Sequence, residues 1–130
     1  MIVVDVSAMV EALIGRDLES ELLDSLAGDV AAPHLLDVEV LSALRGLLLG
    51  GKLEPDAAEE ARVDHFALPL TRYEIHPLAD RIWLLRHQYT SYDACYLALT
   101  EALDAPLHTC DAKLAGAGHE AQVRVFPRTH

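Results

Sequence analysis

The sequence predicts an α/β fold of three layers, α/β/α, around a central and mostly parallel sheet. Short apolar segments that suit strands alternate along the chain with longer segments whose apolar residues recur at helical spacing. Such alternation favours parallel strands joined by helices that cover both faces of the sheet. With 130 residues and no linker, repeat or low-complexity tract, the chain is expected to form one domain over residues 1–130.

Five short apolar runs are predicted to be the strands. The first is continuous and does not alternate with polar residues, which is typical of a strand covered on both faces. The second run precedes Pro33, and the fourth ends just before Cys110-Asp111. In chain order the strands are expected at residues 2–4, 29–32, 70–75, 106–109 and 123–126.

Six helices are predicted, and several carry end signals. Ser7 is the expected N-cap of the first helix, and Pro55 and Pro77 open the fourth and fifth. The third has apolar residues around much of its circumference, so it is expected to be largely buried, and Gly50-Gly51 ends it. In chain order the helices are expected at about residues 7–14, 18–26, 36–49, 55–66, 77–89 and 92–99, with a helical turn after residue 111.

Charge, cysteines and hydropathy exclude several classes of protein. The net charge of −11 argues against a broad basic face for nucleic acid, although acids that bind divalent cations would still permit a phosphate-containing substrate. Cys95 and Cys110 lie in predicted regular structure, so they are expected to be reduced thiols of a cytoplasmic protein. No basic residue precedes Arg16 and no apolar run is long enough for a bilayer, so neither an export signal nor a membrane partner is expected.

Four carboxylates are candidates for a single site. Asp5 and Asp111 follow predicted strands, where parallel sheets bind ligands, while Glu39 and Asp93 lie in the first turns of helices. Asp5 and Asp111 would meet if the first and fourth strands are neighbours. Asp93 is expected to be half buried at the edge of an apolar arc, so it needs a counter-charge. Protonation or a metal ion must relieve repulsion within such a cluster, and hard oxygen ligands suit Mg²⁺ or Mn²⁺, which can activate water for attack on a phosphodiester.

Each acid also has a simpler interpretation. An acid at a strand-to-helix junction is often only a helix cap. Asp37 competes with Glu39, because Asp37 falls inside the apolar arc of the third helix while Glu39 lies at its margin, and periodicity does not choose between them. Tyr92 and Tyr96 are expected to be packing aromatics, and the scattered arginines and Lys113 are expected to be solvated.

Four segments of this chain carry a family resemblance. They are Ile2-Val-Val-Asp-Val-Ser7, Val38-Glu-Val-Leu41, Tyr92-Asp-Ala-Cys-Tyr-Leu-Ala-Leu99 and Leu107-His-Thr-Cys-Asp-Ala-Lys-Leu114. In order and spacing they resemble the signature segments of PIN-domain ribonucleases, specifically the short VapC-type toxins of prokaryotic toxin–antitoxin pairs. One departure is Val6, where many relatives carry a hydroxyl residue.

The resemblance implies a PIN-like fold and a specific site. By similarity, Asp5, Glu39, Asp93 and Asp111 form the catalytic quartet that binds Mg²⁺ or Mn²⁺, which selects Glu39 over Asp37. Ser7 and Thr109 match polar positions that assist around the metals. The resemblance also implies metal-dependent cleavage of an RNA substrate that leaves a 5′ phosphate and a 3′ hydroxyl, a homodimer, and inhibition by a cognate antitoxin protein.

Other functions compete with this interpretation. A phosphatase built on a strand-end aspartate commonly has a second Asp two residues on, and here that position is Ser7. A non-catalytic metal-binding and protein-interaction domain, either an inactive PIN scaffold or a phospho-acceptor receiver, is compatible with the negative charge. Because 52% of the residues are apolar, Leu22, Leu47 and Leu48 are expected at a dimer or antitoxin surface.

Overall fold

Strands and helices alternate as the sequence predicts. The computed structural model describes residues 1–130. The strands are β1 (Ile2–Val4), β2 (Val30–Pro33), β3 (Thr71–Tyr73), β4 (Leu107–Thr109) and β5 (Val123–Val125). The helices are α1 (Val6–Ile14), α2 (Ser20–Leu26), α3 (Leu35–Leu49), α4 (Pro55–Ala67), α5 (Ala79–Leu84) and α6 (Ser91–Leu103), with 3₁₀ turns at His76–Leu78 and Ala112–Ala115. None of the helices combines the length and the hydrophobicity that a bilayer span requires.

All five strands lie in one parallel sheet with the order β3-β2-β1-β4-β5. The chain adds β2 and β3 on one side of β1, then returns to add β4 and β5 on the other side. The first and fourth strands are therefore neighbours, and Val4 lies opposite His108. Strand order reverses between β1 and β4, and in such sheets the crevice at the carboxyl ends of these two strands is where ligands bind.

Helix α6 contains the longest continuous run of buried residues of any helix. Every residue from Ala94 to Thr100 is buried, and the helix packs against β1, β2 and β4. A second group of helices, α1, α3 and α4, pack against one another, with α1 also contacting β4. The helices that flank this parallel sheet confirm the predicted α/β/α layers.

Helix α3 is less buried than its apolar sequence predicts. Only Leu36, Val40 and Leu44 are buried, and Leu41 and Leu49 are exposed. The prediction of a largely buried helix is wrong because α3 packs mainly against α1, α4 and β2, which leaves one face without a neighbour. Apolar residues on that face contribute to the wheel pattern without contributing to the core.

Local differences from the sequence prediction have physical causes. Asp5, not Ser7, caps α1, because its carboxylate accepts a hydrogen bond from the Ala8 N–H. The fifth helix ends at Leu84, and turns carry the chain to Thr90, whose hydroxyl caps α6 through the Asp93 N–H.

Two expectations about apolar side chains are also wrong. Tyr92 is 61% exposed, because the first turn of α6 projects beyond the packed part of the helix. Leu22 is fully buried, so it belongs to the core rather than to a partner surface. Leu47 and Leu48 are partly exposed, and their proposed role at a partner surface stays a prediction.

The uneven burial of α3 makes a matched pair of substitutions informative. Leu44 is 4% exposed and Leu49 is 68% exposed on the same helix. We expect Leu44→Ala to lower the free energy of unfolding by about 2–5 kcal/mol, because it leaves a cavity. Leu49→Ala should change it by no more than about 0.5 kcal/mol. Urea denaturation of both variants measures the difference, and equal losses would show that the outer face of α3 is covered.

Candidate functional site

Asp5 lies at the centre of the candidate site, where β1 ends and α1 begins. Its side chain is buried, with the residue only 4% exposed. Oδ1 accepts hydrogen bonds from the Ser7 hydroxyl at 2.7 Å and the Ala8 N–H at 3.0 Å, and Oδ2 accepts one from the Thr109 hydroxyl at 2.6 Å. Three donors therefore fix both oxygens of a carboxylate that burial would otherwise destabilise.

Ser7 and Thr109 extend this network to the loop after β4. The Cys110 N–H donates to Ser7 Oγ at 2.8 Å, and the Asp111 N–H donates to Thr109 Oγ1 at 2.9 Å. The two hydroxyls are themselves 3.1 Å apart. Both predicted auxiliary residues thus contact Asp5 directly, and they tie the position of the Asp111 backbone to it.

Glu39 enters the site from α3 and is held by a tyrosine from α6. The Tyr96 hydroxyl donates to Glu39 Oε1 at 2.6 Å. Burial raises the pKa of Glu39, and repulsion from Asp5 and Asp93 raises it further, against the lowering effect of the Tyr96 hydrogen bond. Burial and the Glu39 carboxylate also raise the pKa of Tyr96, so the phenol stays protonated and remains a donor.

Asp93 and Asp111 share a counter-charge, Lys113. The ammonium Nζ lies 3.1 Å from Asp93 Oδ2 and 3.4 Å from Asp111 Oδ2. The hydrogen bond and charge of Asp93 raise the pKa of Lys113, with a further contribution from Asp111, so the ammonium stays charged. Asp93 is half buried, as predicted. Its counter-charge is Lys113, which the sequence analysis expected to be solvated.

The four predicted acids form one electrostatic cluster at the carboxyl edge of β1 and β4. Burial raises the pKa of Asp5 most strongly, and repulsion from Asp111 adds to it, while the hydrogen bonds from Thr109, Ala8 and Ser7 lower it. Asp5 and Asp93 in turn repel Glu39. The predicted acids are therefore linked as neighbours, with Asp111 near Asp5, and Glu39 near both Asp5 and Asp93.

The donor set of this cluster fits a hard divalent cation. Its ligand atoms are carboxylate oxygens, which Mg²⁺ and Mn²⁺ prefer, and the repulsion among them would be offset by a cation. In the present arrangement no three His, Cys, Asp or Glu side chains converge on one point, and Lys113 lies between two of the acids. Coordination by three or four of the acids would therefore require the Lys113 ammonium to move aside.

Two residues that the sequence analysis left out of the site have contacts in it, Tyr96 and Lys113. Tyr96 lies three residues after Asp93, about one helical turn, so both side chains lie on the same side of α6. This spacing is the sequence signal that could have placed the Tyr96 hydroxyl near the site. Lys113 lies two residues after Asp111 in a 3₁₀ turn, and only the folded turn shows that it reaches Asp93 as well.

Asp37, the sequence competitor of Glu39, has a structural role. Arg72 donates to Asp37 through Nε at 2.7 Å and Nη2 at 3.1 Å, and His65 Nε2 lies 2.9 Å from Asp37 Oδ1. These contacts join α3 to β3 and α4. Asp37 thus has its partners outside the cluster, whereas the partner of Glu39 is a residue of α6.

Comparisons with known proteins agree on one family. The family model described as "PIN domain" matches residues 2–120. Ribonuclease VapC1 of Mycobacterium tuberculosis is 44% identical over 121 residues, which cover 88% of this chain and 89% of that protein. Among solved structures, M. tuberculosis VapC20, described as a sarcin-ricin loop cleaving toxin, superposes with a TM-score of 0.65 at 20% identity, covering 92% of this chain and 97% of that one. A toxin-antitoxin complex from Klebsiella pneumoniae gives a TM-score of 0.58 at 18% identity, covering 87% of this chain and 88% of that one.

The contacts of Asp37 with Arg72 and His65 predict a pH-dependent contribution to the free energy of unfolding. Burial alone would raise the pKa of Asp37, but the hydrogen bonds and charges of Arg72 and His65 outweigh it and hold the pKa below its usual value of 3.8. A lowered folded-state pKa stabilises the fold above the unfolded-state value, and this stabilisation is lost as pH falls through the folded-state pKa. Asp37→Asn should therefore be less stable than the wild type at neutral pH, and the difference should shrink as pH falls below 3.8.

Urea denaturation over a pH series measures this difference. Glu60→Gln, at an exposed acid on α4, is the matched control and should follow the wild type throughout. A difference between Asp37→Asn and the wild type that stays constant with pH would contradict the proposed ion pairing.

Proposed function

Because this chain belongs to the PIN-domain family, among the VapC ribonucleases, we propose that it is a metal-dependent endoribonuclease and the toxin of a toxin–antitoxin pair. The observation that carries this proposal is the cluster of Asp5, Glu39, Asp93 and Asp111 at the switch point between β1 and β4. The reaction is hydrolysis of an RNA phosphodiester bond that leaves a 5′ phosphate and a 3′ hydroxyl.

The quartet is the proposed binding site for Mg²⁺ or Mn²⁺. Such an ion, when bound, activates water and offsets negative charge on the phosphate and its leaving oxygen. The protein contributes by holding the ligand oxygens in place: Ser7, Ala8 and Thr109 fix both oxygens of Asp5. Tyr96 fixes Oε1 of Glu39 and leaves its second oxygen without a protein partner.

The cysteines of the chain are poor candidates for a covalent nucleophile. Burial raises the pKa of Cys95 to about 11 and that of Cys110 to about 11. Both thiols are therefore protonated at neutral pH, and the thiolate is the reactive form. This favours direct attack by water over a covalent cysteine intermediate.

A phospho-acceptor or phosphatase role for Asp5 is disfavoured by its surroundings. A nucleophilic carboxylate must reach the phosphorus atom, yet Asp5 is 4% exposed and both of its oxygens accept hydrogen bonds from protein donors. A second aspartate is also absent at position 7, where Ser7 instead donates to Asp5.

A cytoplasmic homodimer inhibited by a cognate antitoxin completes the proposal. The protein surfaces of the proposal are supported by large apolar side chains that are exposed on this domain. These are Met1, Leu23, Val38, Leu41, Leu49, Val63, Phe66, Ile75, Trp83, Leu84 and Tyr92. Surfaces of this kind suit protein partners, and the outer face of α3 carries three of them.

Cleavage of RNA by the purified, antitoxin-free protein is the test of the function. We expect cleavage with added Mg²⁺ or Mn²⁺ and none with a chelator. Asp5→Asn and Asp93→Asn should reduce the rate by about 100-fold or more, because each removes a charge from the site. Asp37→Asn is the matched control and should cleave like the wild type.

Thermal denaturation separates lost chemistry from lost fold. Asp93→Ala, measured with chelator, should melt at or above the wild-type temperature, because its partner Lys113 is 60% exposed and exposed pairs contribute little. Equal cleavage by the wild type, Asp5→Asn and Asp93→Asn would refute the assignment, as would failure of the wild type to cut any cellular RNA.

Lys113 provides a test of metal binding that does not depend on activity. Its ammonium neutralises Asp93 and Asp111, so it opposes the binding of a second cation there. Lys113→Met should raise Mn²⁺ affinity by up to about fivefold, the equivalent of one exposed ion pair. Lys52→Met, at the other lysine of the chain, is the control and should leave the affinity unchanged. Calorimetric titration with Mn²⁺ measures both, and unchanged or weaker binding by Lys113→Met would contradict the competition.

A further inference from the structure

A large groove opens beside the acidic cluster. It has a volume of about 1150 Å³ and is bounded by α1, by the second half of α3 with the turn that follows it, and by residues 128–130. Ser7 lines the groove, and its hydroxyl donates to Asp5 at 2.7 Å. The groove and the proposed catalytic site are therefore adjacent through a single residue.

The groove gathers cations in a chain that has few. Arg16, Lys52 and Arg128 line it, together with His130, although the whole chain has only 10 lysines and arginines against 21 acids. Glu54 is the single acid among the lining residues. The groove thus reverses the charge balance of the protein as a whole.

These three cations are also free of protein partners. No carboxylate of the chain forms an ion pair with Arg16, Lys52 or Arg128. By contrast, Arg62 and Arg124, which lie outside the groove, are each paired with a glutamate. Unpaired cations at the wall of a groove are available to an anionic ligand without breaking an internal ion pair.

A buried glutamate fixes the wall of the groove that residues 128–130 form. Glu11 on α1 is 1% exposed, and its carboxylate accepts hydrogen bonds from the Thr129 N–H at 2.7 Å and the Thr129 hydroxyl, with His130 Nδ1 at 2.7 Å. The Thr129 Oγ1 also accepts from the N–H groups of Arg16 and Asp17 at 2.9 and 3.1 Å. A buried carboxylate without donors is costly, so Glu11 holds this segment in place.

We propose that this groove binds the phosphate backbone of single-stranded RNA that enters the acidic site, with Arg16, Lys52 and Arg128 as the phosphate-binding side chains. Glu11 and Thr129 act as positioning residues, because they fix the segment that carries Arg128. The inference rests on the proposed function, since it names the path of that substrate. A polyanion is repelled by a protein of charge −11 except where cations are unpaired, and the groove is such a place.

The dimensions and lining of the groove favour a single strand. Its volume is comparable to a small-molecule pocket, which suits a few nucleotides rather than a duplex. Apolar side chains such as Val10, Leu47 and Leu53 line it beside the cations. Phosphates and bases of a single strand therefore both have complementary surfaces.

Binding of labelled single-stranded RNA, measured by fluorescence anisotropy over a salt series, tests the groove. An Asp93→Asn background prevents cleavage during the measurement. In that background Arg16→Ala, Lys52→Ala and Arg128→Ala should each weaken binding about threefold to tenfold and lower the salt slope by about 0.7, the value for one phosphate of a single strand. Arg62→Ala, at a paired arginine on α4, is the control and should leave both quantities unchanged.

A double-mutant cycle tests the positioning role of Thr129. Thr129→Val removes the hydroxyl that contacts Glu11, so it should weaken RNA binding and lower the salt slope as Arg128→Ala does. If Thr129 acts through Arg128, the double variant should bind no more weakly than Arg128→Ala alone. Additive losses of affinity with an unchanged salt slope would show only a loss of structure, and would overturn the positioning role.

The outcomes separate this inference from the proposed function. If the wild type cleaves RNA but the groove variants bind it like the wild type, the groove proposal is wrong and the function stands. If groove variants retain RNA binding and lose affinity for a protein partner instead, the groove belongs to that partner. If the wild type neither binds nor cleaves RNA, the proposed function fails, and the groove proposal fails with it.

Discussion

The burial of the Asp5 carboxylate is the constraint on which the rest of the site depends. A carboxylate at 4% exposure needs strong donors, and the chain supplies them from both strands that meet at the switch point: Ser7 and the Ala8 N–H after β1, and Thr109 at the end of β4. This network is possible only if β1 and β4 are neighbours. The strand order, the N-cap of α1 and the geometry of the site therefore depend on the same contacts. The hydroxyls of Ser7 and Thr109 also fix the loop that carries Asp111.

The other acids near Asp5 repel it and one another. The residues that stabilise each carboxylate differ from position to position. Glu39 is stabilised by a neutral donor, Tyr96, which leaves its charge available. Asp93 and Asp111 are stabilised by a full positive charge on Lys113, which is 60% exposed, so it can be displaced at small cost. The deeper acids thus have neutral partners and the outer acids have an exposed, charged one, which is a suitable arrangement for the proposed cation site.

Features that depend on local sequence are easier to predict than features that depend on contacts between residues far apart in the sequence. Most strand and helix positions are predictable because segments such as β1 and α6 carry strong local patterns, whereas the adjacency of β1 and β4 depends on strand pairing that the sequence alone does not show. The burial of α3 was not predictable, because its wheel does not show which face lacks a neighbour. The preference for Glu39 over Asp37 comes from family resemblance alone. The His65 and Arg72 contacts that explain Asp37 span 28 and 35 residues of sequence, respectively. Lys113 was missed for the same reason, since its link to Asp93 exists only in the fold.

Charge distribution, rather than net charge, decides what this chain can bind. A protein with 21 acids and 10 lysines and arginines repels a polyanion at long range, and much of its positive charge is consumed by internal ion pairs. Arg16, Lys52 and Arg128 differ because they are unpaired and face one groove. The buried Glu11 holds Thr129 and His130 in place, and so positions the neighbouring Arg128 at the groove. The acidic composition, which argues against a broad basic face, is thus compatible with a nucleic-acid ligand whose contacts are confined to this groove and to the proposed cation site beside it.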